Sequence, residues 1–227
     1  MFNNIKVLTF GKGNFIEPAI KLKAHINSFG IYNVIELTDS DLPKEFKETY
    51  SEILANKKGY GYCIWKPYII LEQLLKLKDD EILIYIDSTD VPNLSFFEYV
   101  LEHFATKDIL LVNRGYMHDN WTRRDTFVLM NCDSPEFHKQ IQLEAGVIAI
   151  KKNDFNVSLI TEWFNYCKNN QILCELPQIS GLPNYSPFYE HRYDQSILTN
   201  LQIKYKISHI KLPDHMIWYN FNQPNTY

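Results

Sequence analysis

Ile82-Leu83-Ile84-Tyr85-Ile86 is an unbroken apolar run, and Asp87-Ser88-Thr89-Asp90 follows it directly. A short apolar run without alternation is typical of a strand buried on both faces of a parallel sheet. Ligands of open α/β sheets bind beyond the carboxyl ends of the strands, so this strand delivers two carboxylates to that edge. Ser and Thr favour turns, and a β-turn brings its outer Cα atoms within about 7 Å. The stretch therefore predicts an α/β fold with an acidic turn at its functional edge.

The two carboxylates of this turn need a compensating charge. Asp87 and Asp90 would repel each other at that separation, and Mg²⁺ or Mn²⁺, which prefer oxygen ligands, could join them. The residues alone leave a structural alternative, in which Asp87 caps the turn and Asp90 is solvated.

Strand-like and helix-like segments alternate on both sides of the apolar run. Runs of β-branched and apolar residues predict strands, and apolar residues at helical spacing predict helices. The alternation favours a mainly parallel sheet flanked by helices in one domain, residues 1–227. Two stretches, 113–144 and 171–190, interrupt it and are expected to be long loop insertions that shape a binding site. The predicted strands are 5–10, 34–37, 81–86, 109–112, 147–150 and 209–212, and the predicted helices are 16–29, 67–77, 95–104, 154–167 and 193–205.

Length and composition exclude several classes of protein. The 227 residues are 45% hydrophobic and 22% charged, which excludes a disordered chain. A net charge of −4 without a Lys/Arg stripe argues against a nucleic-acid partner. No apolar run approaches the roughly 18 residues of a transmembrane segment, and the first residues lack the pattern of a signal peptide. The four cysteines are widely spaced, so we expect reduced thiols and a cytoplasmic protein.

A segment rich in glycine and aromatic residues lies upstream of the acidic turn, at residues 59–67. Tyr60 and Trp65 could stack on a base or a sugar, and Lys66 would place a cation near a phosphate just before a helix. Aromatic residues before a helix also pack into hydrophobic cores, and that alternative stays open.

Five motifs occur in an order that resembles a known family. Together they resemble small glycosyltransferases of the GT-A fold, a group found in bacterial surface-polysaccharide clusters and large DNA viruses. The resemblance extends over residues 5–212 and implies a GT-A-like, nucleotide-sugar-dependent enzyme of the hexosyltransferase class. The motifs are GYGYCIWKP at 59–67, IYID at 84–87, WTRRD at 121–125, EAGV at 144–147 and HRYDQS at 191–196.

The resemblance implies a metal site at the acidic turn. Such enzymes place a D-x-D motif after a central strand, where it holds Mn²⁺ or Mg²⁺ against the diphosphate of a sugar nucleotide. Asp87-Ser88-Thr89 fills that place, so Thr89 stands at the third position and Asp90 could serve one place later. A histidine near the C-terminus is the last metal ligand in several of these enzymes, and both His209 and His215 remain candidates.

The resemblance also implies residues around the donor. Thr9-Phe10-Gly11, at the end of the first strand, would contact the nucleotide. Glu144-Ala145-Gly146 would line the transferred sugar, and Asp194-Gln195 would lie beside its anomeric carbon, as in related retaining enzymes. We therefore expect Glu144, Asp194 and Gln195 to be the catalytic residues.

Two neighbouring arginines are further candidates for donor binding. A net-acidic protein that binds an anionic donor must concentrate cations locally, and arginine can clamp a phosphate with two hydrogen bonds. Arg123 and Arg124 lie in a polar stretch and are expected to do so. The alternative is that they pair with Asp125 or Asp119 and hold the loop together.

The sequence thus predicts a metal-dependent enzyme of polysaccharide biosynthesis. It would move a sugar from a nucleoside diphosphate sugar to a hydroxyl of a glycan or glycolipid, with retention of configuration favoured and peripheral membrane contact left open. One alternative is a sugar-phosphate nucleotidyltransferase, because Gly11-Lys12-Gly13 is a fragment of that family's glycine-rich loop. Another is a catalytically impaired glycan-binding protein, which Thr89 and Cys63 favour because both depart from the glycosyltransferase pattern.

Overall fold

The computed structural model describes residues 2–78, 80–213 and 215–219, and strands alternate with helices along it. The strands are β1 (Ile5–Gly11), β2 (Val34–Thr38), β3 (Ile82–Ile86), β4 (Asp90–Pro92), β5 (Ile109–Met117), β6 (Ile141–Lys151), β7 (Ile210–Lys211) and β8 (Ile217–Tyr219). The helices are α1 (Ile16–Asn27), α2 (Lys44–Thr49), α3 (Ser51–Leu54), α4 (Gly59–Tyr62), α5 (Trp65–Leu75), α6 (Leu94–His103), α7 (Arg124–Leu129), α8 (Pro135–His138), α9 (Asp154–Cys167), α10 (Asn170–Leu173) and α11 (Tyr193–Lys204). Short 3₁₀ turns cover Gly13–Phe15 and His118–Asn120.

The main sheet contains six strands in the order β2-β1-β3-β6-β5-β7, and β4 pairs with β8 in a separate two-stranded sheet. β1 is parallel to β2 and β3, and β5 is parallel to β7. β6 is antiparallel to both of its neighbours, β3 and β5. Five strands therefore share one direction. The predicted α/β class, with a mainly parallel sheet flanked by helices, is confirmed.

The reversed direction of β6 brings its middle residues to the carboxyl end of β3. Val147 lies opposite Ile86 in the register of these two strands. One residue further along, the backbone N–H of Asp87 donates to the carbonyl of Gly146 at 2.8 Å. The acidic turn and the middle of β6 therefore meet at one edge of the sheet, although they are far apart in sequence.

β3 is the centre of the hydrophobic core, which lies on both faces of the sheet. All five of its residues are buried. Ile82, Ile84 and Ile86 pack in the layer that contains α1 and α6, whereas Leu83 and Tyr85 pack in the layer that contains α5, α9 and α11. Each such side chain contributes about 1.5–3 kcal/mol when it is fully buried. The prediction of a strand buried on both faces is confirmed.

The prediction of a long loop at 113–144 is wrong. β5 continues to Met117 and β6 begins at Ile141, and α7 and α8 lie between them. The pairing of β5 with β6 is irregular after Leu111 and again between Asn113 and Met117. Such irregularities break the two-residue alternation by which a strand is recognised in sequence. In the second predicted loop α10 ends at Leu173, and residues 174–192 form no helix or strand, as expected.

Two observations bear on the predicted environment of the protein. No helix in the described part of the chain is long and apolar enough to cross a membrane. All four cysteines are free thiols, and three of them, Cys132, Cys167 and Cys174, are buried.

Candidate active site

A cleft with two connected chambers opens beyond the carboxyl ends of β1 and β3. The larger, of about 390 Å³, is named here the aromatic chamber, and the smaller, of about 210 Å³, the acidic chamber. Both are lined by Gly59, Cys63, Lys66, Asp87 and Thr89. The aromatic chamber is completed by Phe10, Lys12, Phe15, Leu54, Ala55, Asn56, Lys57, Tyr60, Trp65 and Ser88, and the acidic chamber by Asp90, Glu144, Ala145, Gly146, Glu190, Arg192, Tyr193, Asp194 and Gln195.

Rings that stack on one another form one wall of the aromatic chamber. Phe10, near the end of β1, lies face to face with Trp65, with 3.9 Å between the ring centroids. Tyr60 lies parallel to Phe10 at 6.4 Å, and the ammonium of Lys12 lies 3.5 Å from the centre of the Tyr60 ring. Lys12 also pairs with Asp39 at 3.0 Å. The chamber therefore offers an apolar wall of rings, with a cation over the ring of Tyr60.

The segment that carries Tyr60 is a turn of left-handed helix. Tyr60, Tyr62 and Cys63 have φ values of 47°, 55° and 60°, and the two glycines of the segment also have positive φ. Left-handed helical backbone costs about 1–2 kcal/mol for each residue other than glycine. At Gly61 a Cβ atom would lie 2.9 Å from the Cα atom of Leu54, so glycine is required there. Strained backbone of this kind concentrates at functional sites, where the surrounding structure holds it in place.

The acidic chamber is built on the turn that follows β3. The N–H of Asp90 donates to the carbonyl of Asp87 at 2.9 Å, so the predicted β-turn is present. The hydroxyl of Tyr85 donates to Asp87 Oδ1 at 2.5 Å. A Cβ atom on Gly146 would lie 2.8 Å from Asp90 Oδ2 and 3.1 Å from Asp87 Oδ2. Both carboxylates therefore converge on a small space that exists because residue 146 is glycine.

A buried lysine lies among the carboxylates of this chamber. Lys66 Nζ lies 3.1 Å from Asp87 Oδ1 and 3.8 Å from Asp194 Oδ2, and it donates to the carbonyl of Ala145 at 3.2 Å. Burial would lower the pKa of Lys66, but the charges of Asp87 and Asp194 outweigh it and raise this pKa. Lys66 is therefore a fixed positive charge that is already paired with two carboxylates, and it is not a cation held free for a phosphate.

Asp194 lies at the base of the acidic chamber, in the first turn of α11. It is 3% exposed, and its Oδ2 atom has no hydrogen-bond partner among the described residues. Burial raises the pKa of Asp194 to about 7, although Lys66 opposes the shift. Its neighbour Gln195 accepts a hydrogen bond from the N–H of Ala145 at 3.2 Å, which joins α11 to β6. The predicted pair Asp194-Gln195 is thus brought to the predicted segment Glu144-Ala145-Gly146.

Glu144 forms an ion pair with Arg114 across β5 and β6. Burial, together with the charges of Asp87 and Glu144, raises the pKa of Asp90 well above its usual range. Several carboxylates therefore crowd one small space, and a further positive charge there would stabilise them.

The acidic turn fits a divalent cation with few protein ligands. Among the described residues, no three His, Cys, Asp or Glu side chains are grouped so that they could hold a metal ion. Asp87 and Asp90 nevertheless converge on the space over Gly146, and Thr89 lines both chambers. Mg²⁺ is often bound by one or two carboxylates, with water and substrate phosphates as the other ligands. The residues present match that arrangement.

The two histidine candidates are not brought to this turn. His209 Nδ1 lies 2.7 Å from the side-chain amide of Asn113, and His215 accepts a hydrogen bond at its backbone carbonyl from Asn93 at 2.6 Å. Neither lines either chamber. His209 immediately precedes β7, and β6 and β5 separate β7 from β3 in the sheet. The expectation that one of these histidines completes the metal site is therefore not supported by their positions.

The two arginine candidates are engaged elsewhere. Arg123 is buried, pairs with Asp125 at 3.5 Å, and donates to the carbonyl of Cys174. Arg124 pairs with Asp133 at 3.1 Å. Neither lines the cleft, so these residues hold α7 to its neighbouring segments instead of contacting a donor. For Arg123 this is the structural alternative stated above, in which it pairs with Asp125 and holds the loop together.

Of the three residues at the end of β1 that were expected to contact the nucleotide, one lies at the cleft. Phe10 lines the aromatic chamber, but Thr9 is fully buried and neither Thr9 nor Gly11 lines a chamber. A Cβ atom on Gly11 would lie 2.6 Å from the carbonyl oxygen of Phe15, so this glycine permits the close turn that follows. The alternation of side chains along a strand explains why only the middle residue faces the cleft.

Several lining residues were not expected from the sequence as parts of a site. Phe15, Leu54 and Asn56 complete the aromatic chamber, and Glu190, Arg192 and Tyr193 complete the acidic chamber. Arg192 and Tyr193 belong to the motif at 191–196, in which the sequence indicated only Asp194 and Gln195 as site residues. Phe15, Leu54 and Asn56 carry no chemical signal in the sequence.

Comparison with known proteins gives structural matches only. The sequence matches no protein-family model and no curated protein. Mouse xyloside xylosyltransferase 1 aligns with a TM-score of 0.48 and 9% identity, over 92% of this chain and 85% of that chain. A glycosyltransferase involved in the glycosylation of the major capsid of PBCV-1 aligns with a TM-score of 0.43 and 12% identity, over 92% and 83%. The bifunctional glycosyltransferase WbbM aligns with a TM-score of 0.45 and 12% identity, over 92% and 39%. These structural likenesses are distant, and they say nothing about the substrates or the functional residues of this chain.

Proposed function

We propose that the protein is a metal-dependent glycosyltransferase that takes its sugar from a nucleoside diphosphate sugar. The observation that carries the proposal is the junction of the two chambers at Asp87. An apolar aromatic pocket and a pocket of buried charge meet at two carboxylates that fit a divalent cation. A nucleoside diphosphate sugar has the same order of parts: an aromatic base, an anionic diphosphate and a polar sugar.

The donor would extend from one chamber into the other. Its base and ribose would occupy the aromatic chamber against Phe10 and Tyr60, with Lys12 at the edge. Its diphosphate would lie at the turn of Asp87 and Asp90, where a bound divalent cation would neutralise the charge that the diphosphate gains on leaving. Its sugar would occupy the acidic chamber.

The residues of the acidic chamber would then surround the reacting carbon. Asp194, Gln195 and Glu144 line this chamber together with Ala145 and Gly146. In the reaction the bond from the anomeric carbon to the diphosphate oxygen breaks, and its electron pair stays on that oxygen. A hydroxyl oxygen of the glycan or glycolipid acceptor forms the new bond, and its proton passes to the departing diphosphate. Asp194 would stabilise the positive charge that develops on the sugar.

Retention of configuration is part of the proposal. Inversion needs a base that removes the acceptor proton on the far side of the sugar. Asp194 Oδ2 lies 3.8 Å from the ammonium of Lys66, and Glu144 is paired with Arg114, so a cation competes for each carboxylate that could act as that base. NMR of the anomeric proton in the first product distinguishes the two outcomes.

The proposed function is tested by a thermal-shift screen of UDP, GDP and dTDP with and without Mn²⁺. A ligand at 100 times its dissociation constant stabilises the folded state by about 2.7 kcal/mol. We expect one nucleoside diphosphate to raise the melting temperature, more strongly with Mn²⁺, and its sugar derivative to be hydrolysed slowly or transferred. Failure of all three to stabilise the protein, with and without Mn²⁺, contradicts the proposal.

The sequence alternatives give different results in the same experiments. A sugar-phosphate nucleotidyltransferase would release pyrophosphate from a nucleoside triphosphate and a sugar phosphate. A catalytically impaired glycan-binding protein would show no Mn²⁺-dependent stabilisation by any nucleoside diphosphate. The convergence of Asp90 on the space beside Asp87 speaks against the second alternative, because Asp90 supplies the carboxylate that Thr89 lacks.

A further inference from the structure

Three aromatic side chains form an exposed surface beside the acidic chamber. The ring of Trp121 lies 5.9 Å from the ring of Tyr116 and 5.3 Å from that of Tyr189, centroid to centroid. Tyr116 is 56% exposed and Tyr189 is 62% exposed, whereas Trp121 is half-buried and contacts both. We name these three residues the Trp121 platform. Grouped exposed apolar side chains with polar neighbours mark binding surfaces, whereas isolated ones are common and need no explanation.

Backbone hydrogen bonds hold the platform in place. The N–H of Tyr189 donates to the carbonyl of Asn120 at 2.8 Å, and the N–H of Arg192 donates to the carbonyl of Trp121 at 3.0 Å. The hydroxyl of Ser196, in α11, donates to the same carbonyl of Trp121 at 3.0 Å. Two segments distant in sequence are thus joined on either side of the rings. A surface fixed in this way loses little conformational entropy when it binds a ligand.

A charged pair connects the platform with the acidic chamber. The guanidinium of Arg192 lies 4.8 Å from the centre of the Trp121 ring and pairs with Glu190 at 3.2 Å. Arg192 and Glu190 also line the acidic chamber. The platform therefore adjoins the place where the proposed function puts the reacting sugar.

We propose that the Trp121 platform binds a sugar ring of the acceptor. This proposal rests on the glycosyltransferase function proposed above. The C–H face of a pyranose packs well on Trp and Tyr rings, while its hydroxyls need donors and acceptors at the edge. Arg192 supplies donors and Glu190 supplies acceptors at the side of the platform that faces the chamber. Glu190 also lies 3.6 Å from Lys58, which pairs with Glu175, so two positive and two negative side chains balance at this side. The surface therefore favours a neutral sugar over one that carries a carboxylate or a phosphate.

The test measures binding of the full chain to an array of neutral and uronic-acid oligosaccharides. The test variant is Tyr116→Ala/Tyr189→Ala, which removes both exposed rings. The variant Tyr116→Phe/Tyr189→Phe keeps the rings and removes only the hydroxyls. Tyr32→Ala is the control, because Tyr32 is 77% exposed and lines neither chamber. Melting temperatures show whether each variant is folded. If the Ala variant is not folded, the Phe variant still tests the proposal.

We expect the wild type to bind neutral oligosaccharides and the Ala variant to bind them about tenfold more weakly. The loss of each ring should weaken binding by less than tenfold, and the two losses multiply. The Phe variant and Tyr32→Ala should bind like the wild type. The proposal is overturned if the wild type binds no neutral oligosaccharide, if the folded Ala variant binds as well as the wild type, or if the folded Phe variant loses binding.

The thermal-shift screen separates this proposal from the proposed function. Stabilisation by a nucleoside diphosphate without oligosaccharide binding refutes the platform and leaves the donor assignment intact. Oligosaccharide binding that depends on the rings, without any nucleotide effect, refutes glycosyl transfer and supports the platform as a sugar site.

Discussion

The two chambers share five lining residues but are stabilised in opposite ways. In the aromatic chamber, Phe10 and Trp65 are apolar, nearly buried and stacked, so the features proposed to bind a base also stabilise the fold. In the acidic chamber, Asp90, Asp194 and Lys66 are ionisable side chains that are almost completely buried. Buried charges are costly even when they are paired, because the loss of hydration offsets much of their attraction. The acidic chamber therefore lowers the stability of the fold, and it provides the buried charges that the proposed glycosyl transfer needs.

The largest expected effect is the loss of activity in Asp87→Ala. Removal of one carboxylate from the proposed cation site should lower donor hydrolysis and transfer by about 10²–10³-fold, the usual effect of removing a single transition-state stabiliser. Asp87→Asn should give a similar loss while it retains the shape of the side chain. The measurement is the rate of sugar release from the donor in saturating Mn²⁺, with Glu17→Ala as an exposed control. Activity of both Asp87 variants equal to that of the wild type rules out the metal assignment.

Lys66→Met should have the largest effect on stability. Loss of one partner from a buried ion pair leaves an uncompensated charge and costs about 3–5 kcal/mol of unfolding free energy. Urea denaturation at neutral pH measures this cost. Lys57→Met is the matched control, because Lys57 lines the aromatic chamber but is exposed. We expect the control to change stability by about 0.5 kcal/mol or less.

The double variant Lys66→Met/Asp194→Asn sharpens this prediction. Removal of the Asp194 charge should restore part of the stability that Lys66→Met loses. Equal stability of the single and the double variant would show that Lys66 does not compensate Asp194.

Gly146→Ala should weaken the cation site without emptying the aromatic chamber. Its Cβ would lie 2.8 Å from Asp90 Oδ2 and 3.1 Å from Asp87 Oδ2, so both carboxylates must shift. Changes that disturb the orientation of metal ligands typically lower metal affinity about 10–100-fold. Titration of nucleotide binding with Mn²⁺ measures the effect. Gly13→Ala is the control for a glycine outside this chamber: its Cβ meets nothing within 4 Å, and its φ of 57° costs stability but should leave the Mn²⁺ titration unchanged.

Asp194→Asn should change the pH dependence of stability. Burial raises the pKa of Asp194 from 3.8 to about 7, so the folded state holds a proton that the unfolded chain releases near pH 4. The contribution of Asp194 to stability is therefore present below about pH 4 and is lost as the pH rises to about 7. The buried histidines His118 and His191, whose pKa values are lowered, act in the opposite direction. These histidines are present in both proteins, so their effect cancels in the comparison. Between pH 4 and 7 the unfolding free energy of the wild type should fall relative to that of Asp194→Asn. Parallel curves of unfolding free energy against pH would contradict the raised pKa of Asp194.

The same contrast explains which parts of the site could be predicted from sequence. The acidic turn was predictable because the buried strand that places Asp87 immediately precedes it. The role of Lys66 was not, because α5 and α11 are brought together only by tertiary packing, in which both helices contact α9. Arg123 and Arg124 were expected to bind the donor, but their partners Asp125 and Asp133 are close in sequence and hold them. A charged residue is predictable as a ligand-binding group only where no local partner competes for it.

The fold was predictable to a similar depth. The alternation of strands and helices gave the α/β class, because each element has a local pattern. The direction of β6 had no local signal, since an antiparallel strand between two parallel neighbours is as apolar as a parallel one. That direction brings Glu144, Ala145 and Gly146 to the acidic turn, so the site depended on the one topological feature that the pattern left undetermined.

The smallest expected effect is in Tyr60→Ala, and it tests the separation of the two chambers. Loss of a stacking ring should weaken nucleoside diphosphate binding by about tenfold or more, since base stacking on an aromatic side chain contributes about 1–3 kcal/mol. Calorimetry with and without Mn²⁺ measures this loss. Because Tyr60 lines only the aromatic chamber, the factor by which Mn²⁺ improves affinity should be the same in Tyr60→Ala as in the wild type. In Asp87→Ala that factor should instead fall to one. If Tyr60→Ala also removes the Mn²⁺ effect, the base and the diphosphate are not held by separate chambers, and the division of the cleft is wrong.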